Sequence, residues 1–419
     1  MPDETSSTAK NPAQKRFAFR WYLTASSLWM AGMSLQGFLM TSLLVVILDL
    51  PAERTAWARL FSELPPLAIL LLGGVLGDRS NSRTYLTAMH LLMALPPLMM
   101  AVVYGLDALS YWWVVLFGVL MASIQSLSDP TRQSTLSRVT SLDIQRAVTI
   151  MTIVTSLVGL AGFQLGSKLE SWGVSTVLVL QSLLFFFGVF AIRALPSLPA
   201  LDSGRSPRST RESLTQGLAA IRKVPLLRNI IGLNFMSSLF NAGAYIIAIP
   251  YIITDVYDGT AATLATAMIV FTIGSIGSNL ILLACMPLRY PGRLFLVMQL
   301  TRIVILMVLW LEPPSWLFHV LLLAWGLNMG VTTTMVRTTV QELAPAVDRA
   351  QILSILLLSF MVSSPISAVL LGYLIAGASP IDAMLPGIAI SIAIFVIGLG
   401  YSGLRQFRSD TVPTTPSKP

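Results

Sequence analysis

Residues Trp21–Leu50 read WYLTASSLWMAGMSLQGFLMTSLLVVILDL, and the first charged side chain in that run is Asp49. A helix of this length exceeds the roughly 20 residues needed to cross the hydrocarbon of a bilayer. A soluble helix would show a charged face, and this one has none. Only helices and closed barrels satisfy all their backbone polar groups in lipid, so the stretch is expected to be a membrane-spanning helix.

Working outward from this run, similar apolar blocks recur, separated by short polar clusters. Their spacing predicts twelve spans, at about 21–48, 56–77, 84–104, 110–137, 146–168, 174–194, 228–253, 261–286, 293–311, 315–341, 350–376 and 382–403. Several exceed the crossing length, which implies tilt or helix continuing beyond the hydrocarbon. The whole chain agrees with this: 55% of its 419 residues are hydrophobic, only 11% are charged, and the mean hydropathy is +0.75. No water-soluble core absorbs that much apolar surface.

The net charge of +8 is informative through its placement. With the N-terminus in the cytoplasm, 23 of the 27 Lys and Arg residues fall on the cytoplasmic side. Arg54, Arg59 and Lys168 fall outside, and Arg302 lies within a span. That asymmetry predicts both termini inside and a plasma membrane location, in bacteria the inner membrane. It also removes the case for a nucleic-acid partner. Met1–Phe19 is polar and basic without a short apolar segment and cleavage site, so the first span is expected to be a retained anchor.

Several chemistries are excluded at this level. No G-x-x-x-x-G-K-[ST] loop occurs, so a nucleotide-driven pump is excluded. His-Glu-x-x-His and an intramembrane Asp pair are both absent, which sets aside an intramembrane protease. His90 and His319 are isolated and read as packed or interfacial, without metal-ligand spacing. Cys285 is the one cysteine, so no intramolecular disulfide forms, and its expected role is packing in an apolar helix. No cofactor is expected.

The long polar break from Pro196 to Val224, with Arg205, Arg208, Arg211, Arg222 and Lys223, divides the pattern into two halves of six spans. The expected organisation is a cytoplasmic segment 1–20, a first half 21–195, a linker 196–225, a second half 226–408 and a disordered tail 409–419. A trace of internal repetition supports two related halves. Arg132 and Asp143 recur as Arg337 and Asp348 at an offset of 205 residues.

Motifs then narrow the class. The loop after span two reads Gly74-Val-Leu-Gly-Asp78-Arg79-Ser-Asn-Ser-Arg83. Glycine permits close helix approach, an acid can accept hydrogen bonds from a helix N-terminus, and arginines can clamp a gate. This loop resembles the signature of the major facilitator superfamily. Further on, Asp129-Pro-Thr-Arg132-Gln133, Gly162-Phe-Gln-Leu-Gly166-Ser167, Gln341-Glu-Leu-Ala-Pro345 with Arg349, and Ser364-Pro365 before Gly372 resemble the branch containing enterobactin exporters and related drug and siderophore effectors. Phe163 and Ser167 replace a proline and a glycine of that branch's span-five motif, and the loop Pro287-Leu-Arg289-Tyr-Pro-Gly-Arg293 of the second half lacks the acid.

The resemblance implies an all-α membrane protein of two pseudo-symmetric six-helix halves, working as a monomer by alternating access. It implies that spans one, four, seven and ten line a central cavity. The substrate-facing candidates are then Ser34 and Gln36, Gln125, the one-face series Asn234, Ser238, Asn241 and Tyr245, and Asn328 with Thr332. For each, helix–helix hydrogen bonding is the competing role. The gating candidates are Gly74, Asp78, Arg79, Arg83, Asp129, Arg132, Gln133, Arg337, Gln341, Asp348 and Arg349, and the helix-packing candidates are Gly162, Gly166, Pro365 and Gly372.

A charge near the bilayer centre costs on the order of 3 kcal/mol, so charges inside spans are read functionally. Proton coupling through Asp129, Asp49 or Glu63 is one expectation. Arg302, about nine residues into span nine, must point inward, meet a partner or snorkel; hydrogen-bonded structure and ligand binding both stay open for it. The function expected is export of small amphipathic molecules, siderophore or drug-like, as an antiporter. A lysolipid flippase of the same fold and a non-transporting scaffold or receptor are the alternatives.

Overall fold

The computed structural model describes residues 12–78, 80–140, 142, 144–200, 210–285, 288–345 and 348–409. Among these the chain is helical, without strands. The helices are α1 (Pro12–Thr41), α2 (Ala52–Asp78), α3 (Ser82–Gly105), α4 (Tyr111–Val139), α5 (Ile144–Gly166), a single turn α6 (Leu169–Trp172) and α7 (Val174–Arg193). After the polar break follow α8 (Thr210–Lys223), α9 (Pro225–Gly243), a short α10 (Ile249–Tyr251), α11 (Ala261–Cys285), α12 (Pro291–Trp310), α13 (Ser315–Leu343), α14 (Arg349–Gly377) and α15 (Met384–Gly400).

Ten helical segments among the described residues are long and apolar enough to cross a membrane. The two other expected spans fall on α2 and on α5, whose apolar part, Ile150–Gly166, is shorter. Helix α1 begins nine residues before the apolar block, at Pro12. Proline suits a helix start, and Gln14, Lys15 and Arg16 are good helix formers, so the polar lead-in extends the span.

The chain forms two compact units. The first comprises residues up to Leu50, Trp57–Arg205 and Thr260–Thr266; the second comprises Pro51–Ala56, Ser206–Gly259 and Ala267–Pro419. In the first, α3 packs along α7, and α1 along α5 and α7. In the second, α12 packs along α15 and α13, and α9 along α14.

Each unit repeats a local device. Helices α1 and α9 both loosen into π-helical turns, Ser42–Ile47 in one case and Ala244–Ala248 with Ile252–Val256 in the other. After them Asp49 and Asp258 take left-handed backbone, with φ of 46° and 47°. Asp107 after α3 and Glu312 after α12 do the same, at 52° and 51°, and stand 205 residues apart. Short polar side chains tolerate this region better than branched ones do.

The polar break contains structure that its composition hides. Helix α8 lies on α14: a Cβ on Gly217 would press on Ile355 at 2.6 Å, and Ala220 and Ile221 join the buried core of the second unit. Arg205 and Arg208 lie outside the described residues, and of Arg211 only the backbone is described. The tail is anchored at its start, because Ser409 donates from its backbone to Arg289 O at 3.0 Å and from its hydroxyl to Glu342 Oε1 at 2.9 Å. Residues 410–419 lie outside the described part. Cys285 is exposed at the end of α11 instead of packed.

Candidate functional site

Helix α9 carries Asn234, Ser237, Ser238 and Asn241 on one side of an apolar helix. Asn241 Nδ2 bonds back to Ser237 O at 2.7 Å, which leaves its Oδ1 buried without a partner. Asn234 Nδ2 is likewise buried and unpartnered. Beside them Arg302 of α12 is buried, 1% exposed.

The guanidinium is held by neutral groups, three side-chain oxygens and the Met329 sulfur, 4.0 Å from Nη2. Its Nε and Nη2 donate to Asn328 Oδ1 at 2.9 and 2.7 Å, Nη1 to Ser237 Oγ at 2.6 Å, and Nη2 also to Thr332 Oγ1 at 3.1 Å. The orientation of Asn328 follows from this network, since its Nδ2 donates to Met298 O at 2.6 Å and Thr301 Oγ1 at 2.8 Å. All four of its hydrogen-bonding positions are then used. Thr332 completes the set by donating to Asn328 O at 2.7 Å, so its oxygen accepts from the arginine. One Nη1 proton has no partner, and among the described residues no carboxylate meets this charge.

These groups edge a cavity of about 430 Å³. Its polar side is formed by Asn234, Ser237, Ser238, Asn241, Arg302, Thr332 and Arg337, with Gln341 beyond them. Helix α14 adds Leu353, Leu356, Leu357, Phe360 and Ser363. Such a volume falls within the range of small-molecule sites, and the mixed lining suits an amphipathic occupant.

A family profile now has a geometry to be set against. The profile described as "Transmembrane secretion effector" matches residues 8–419. The chain belongs to that family. It is a membrane transporter of the major facilitator type. Three solved transporters share its fold at low identity. The nucleoside transporter NupG aligns with a TM-score of 0.66 at 13% identity, covering 94% of this chain and 99% of its own. A POT family transporter in complex with 5-aminolevulinic acid gives 0.69 at 10%, covering 91% and 94%. A bacterial homolog of the human lysosomal transporter Spinster, inward-facing and unoccupied, gives 0.63 at 12%, covering 94% and 97%. No curated protein matches.

Gln36 is buried against α7, where Gln181 Nε2 donates to its Oε1 at 2.9 Å and to Gly32 O at 3.0 Å. Ser34 faces α5, since a Cβ on Gly162 would meet Ala31 O at 2.5 Å and Ser34 Cβ at 2.9 Å. Gly166 faces Phe38 in the same seam, and Gly372 faces Ala52 and Ala56. Pro365 is buried inside α14, and Gln125 is half-buried in α4. Tyr245 stacks on Phe271, ring centroids 4.0 Å apart, with Trp325 edge-on at 6.4 Å, and is not part of the cavity wall.

Arg132 sits over the Trp29 ring, 4.4 Å from its centroid, while Tyr22 OH donates to the Arg132 carbonyl. Asp129 is one turn earlier and half-buried; Gln133 is exposed. Arg83 donates to Leu195 O at 3.1 Å. Arg138, which sequence reasoning passed over, bonds Ser82 Oγ at 2.8 Å and Pro199 O at 2.7 Å. Arg337 and Gln341 are exposed, and Asp348 stands half-buried at the start of α14. Arg79 and Asp143 lie outside the described residues, and of Gly74, Asp78 and Arg349 only the backbone is described.

Among the coupling candidates, Asp49 is exposed on its left-handed turn. Glu63 lies one turn beyond Arg59 in α2. Arg59 belongs to α2 and donates to Thr41 Oγ1 and to Gly37 O. Span nine contributes Arg302, for which ligand binding had stayed open, and α14 supplies apolar lining that sequence reasoning missed. The lone cation in an apolar block was the available signal; the lining had none, because its leucines look like any lipid-facing leucines.

Proposed function

We propose that the chain is a secondary exporter of small amphipathic molecules, working by alternating access as a monomer. In this reading it has twelve spans, both termini in the cytoplasm, and resides in the bacterial inner membrane. What supports the reading is the mixed cavity in a chain of the secretion effector family: amides, hydroxyls and arginines from α9, α12 and α13 together with Leu353, Leu356, Leu357 and Phe360 of α14. The Gly74–Arg83 segment with Arg132 serves as a clasp between access states, and Asp129, Glu63 or Asp49 carries coupled protons.

Accumulation of drug-like and siderophore-like compounds in a deletion strain, with and without the restored gene and a protonophore, tests the reading. Lower accumulation in the restored strain, abolished by the protonophore, is expected. Equal accumulation in both strains across the compound set removes export. Unchanged gradient-driven transport in Asp129→Asn, Glu63→Gln and Asp49→Asn together removes proton coupling through these acids.

A further inference from the structure

A guanidinium at the edge of a cavity, held only by neutral groups, is an incomplete arrangement. Buried charges in proteins are paired or neutralised, because partial dipoles replace only part of the hydration an ion gives up. Asn328, Ser237 and Thr332 orient Arg302 and leave one Nη1 proton over. No acid lines the cavity, and Arg337, five residues along α13 from Thr332, adds a second positive charge to the same wall. Arg337 makes no hydrogen bond or ion pair among the described residues.

A purely structural role for Arg302 explains its bonds to α9 and α13. It does not explain the second arginine on the same wall. Asn234 Nδ2 and Asn241 Oδ1 are unpartnered but closed to solvent, so the groups that face an occupant are the two cations and the hydroxyls beside them. An oxyanion answers the cations. The leucine and phenylalanine wall takes an apolar tail.

We infer that the second unit's cavity binds an anionic amphiphile, a carboxylate or phosphate with one short apolar chain, with Arg302 and Arg337 as its counter-charges. This deepens the transporter reading of the same cavity and rests on it only for the direction of movement.

The test uses the full chain in phosphatidylcholine nanodiscs, with 3-hydroxydodecanoate, its methyl ester and dodecyl phosphate as probes, read by intrinsic tryptophan fluorescence. Comparing variants in identical discs cancels partition into lipid. The two anions are expected to bind at least about tenfold tighter than the ester. That preference should fall to within about twofold in Arg302→Gln, persist in part in Arg302→Lys, and shrink in Arg337→Gln. Arg337 is exposed and unbonded, so its variant remains informative if Arg302→Gln fails to fold.

Equal binding of acid and ester to the wild type overturns the inference, and so does a preference that survives both glutamine variants. Replacing phosphatidylcholine by phosphatidylglycerol separates the sources of the oxyanion. If the anionic lipid displaces the probes from the wild type, the site takes a lipid headgroup and the small-amphiphile assignment falls. Anion-selective binding without export of any anion overturns the transport reading and leaves the site intact; export indifferent to charge does the reverse.

Discussion

Arg132 in the first unit and Arg302 in the second are both withdrawn from solvent inside helical bundles, yet their surroundings differ in kind. Arg132 lies against the face of Trp29, with Asp129 one turn away on its own helix. Arg302 meets an amide and two hydroxyls, with open space beside it and no acid. The positional partner of Arg132 is Arg337, which is exposed, while the buried charge of the second unit sits on another helix altogether. Repetition of the scaffold therefore does not extend to the placement of charge. The first unit lays its arginine on an aromatic face and leaves the guanidinium Nη1 without a hydrogen-bond partner, and the second holds its arginine on an amide and two hydroxyls.

The sharpest way to break this comparison is Arg302→Met. The substitution removes a buried charge but strands Asn328 Oδ1, which loses both of its donors at a cost of about 1–3 kcal/mol. Thermal stability is expected to fall by no more than that, while transport of an anionic substrate falls by at least tenfold, about 1.4 kcal/mol or more of lost interaction. A loss of stability together with unchanged transport would make Arg302 a brace and erase the contrast with Arg132.

Asn328→Ala probes the same network from its neutral side. It removes two bonds to a charged group, each worth about 1.5–3 kcal/mol, and leaves the guanidinium in place. Destabilisation of about that size, relieved when Arg302→Met is combined with it, is expected from unfolding curves of the single and double variants. Additive losses would show that the two side chains do not act through each other.

Glycine seams offer the control in which the two units should agree. A Cβ on Gly326 would strike the Phe271 carbonyl, and one on Gly162 the Ala31 carbonyl. Both obstacles are backbone, which does not yield as a side chain does. Gly326→Val and Gly162→Val should each cost about 1–3 kcal/mol, measured as loss of thermal stability. A large effect in one unit only would mean that the units differ in packing as well as in charge.

How much of this was legible follows the same physical division. Apolar blocks declare spans because lipid admits no alternative for the backbone, and Arg302 stood out because charge in such a block is rare. The identity of its partners was not legible: Ser237, Asn328 and Thr332 come from two other helices, and which faces meet depends on packing that no local pattern records. Gln36 shows the converse, a polar residue assigned to a cavity whose bond partner, Gln181, lies 145 residues away. The left-handed acids Asp107 and Glu312 were readable in principle, since they share the 205-residue offset of Arg132 and Arg337. They passed unnoticed because a backbone conformation leaves only a weak compositional mark.

The smallest expected effect is at Gln181, and it bears most directly on what a neutral polar pair is worth in this membrane fold. Gln181 is fully buried in α7 and donates to Gln36 Oε1 and Gly32 O, while its own Oε1 finds no partner. Replacing it by alanine removes two bonds and strands the Gln36 oxygen, but it also removes an unsatisfied oxygen from the interior. These contributions oppose each other, so the net cost should sit near the average of about 0.6 kcal/mol for interhelical hydrogen bonds in membranes. Gln181→Leu, which fills the volume with apolar atoms, should cost less still. If Gln181→Ala instead destabilises as much as Asn328→Ala, the first unit depends on its polar contacts as heavily as the second, and the difference between them reduces to the missing counter-charge at Arg302.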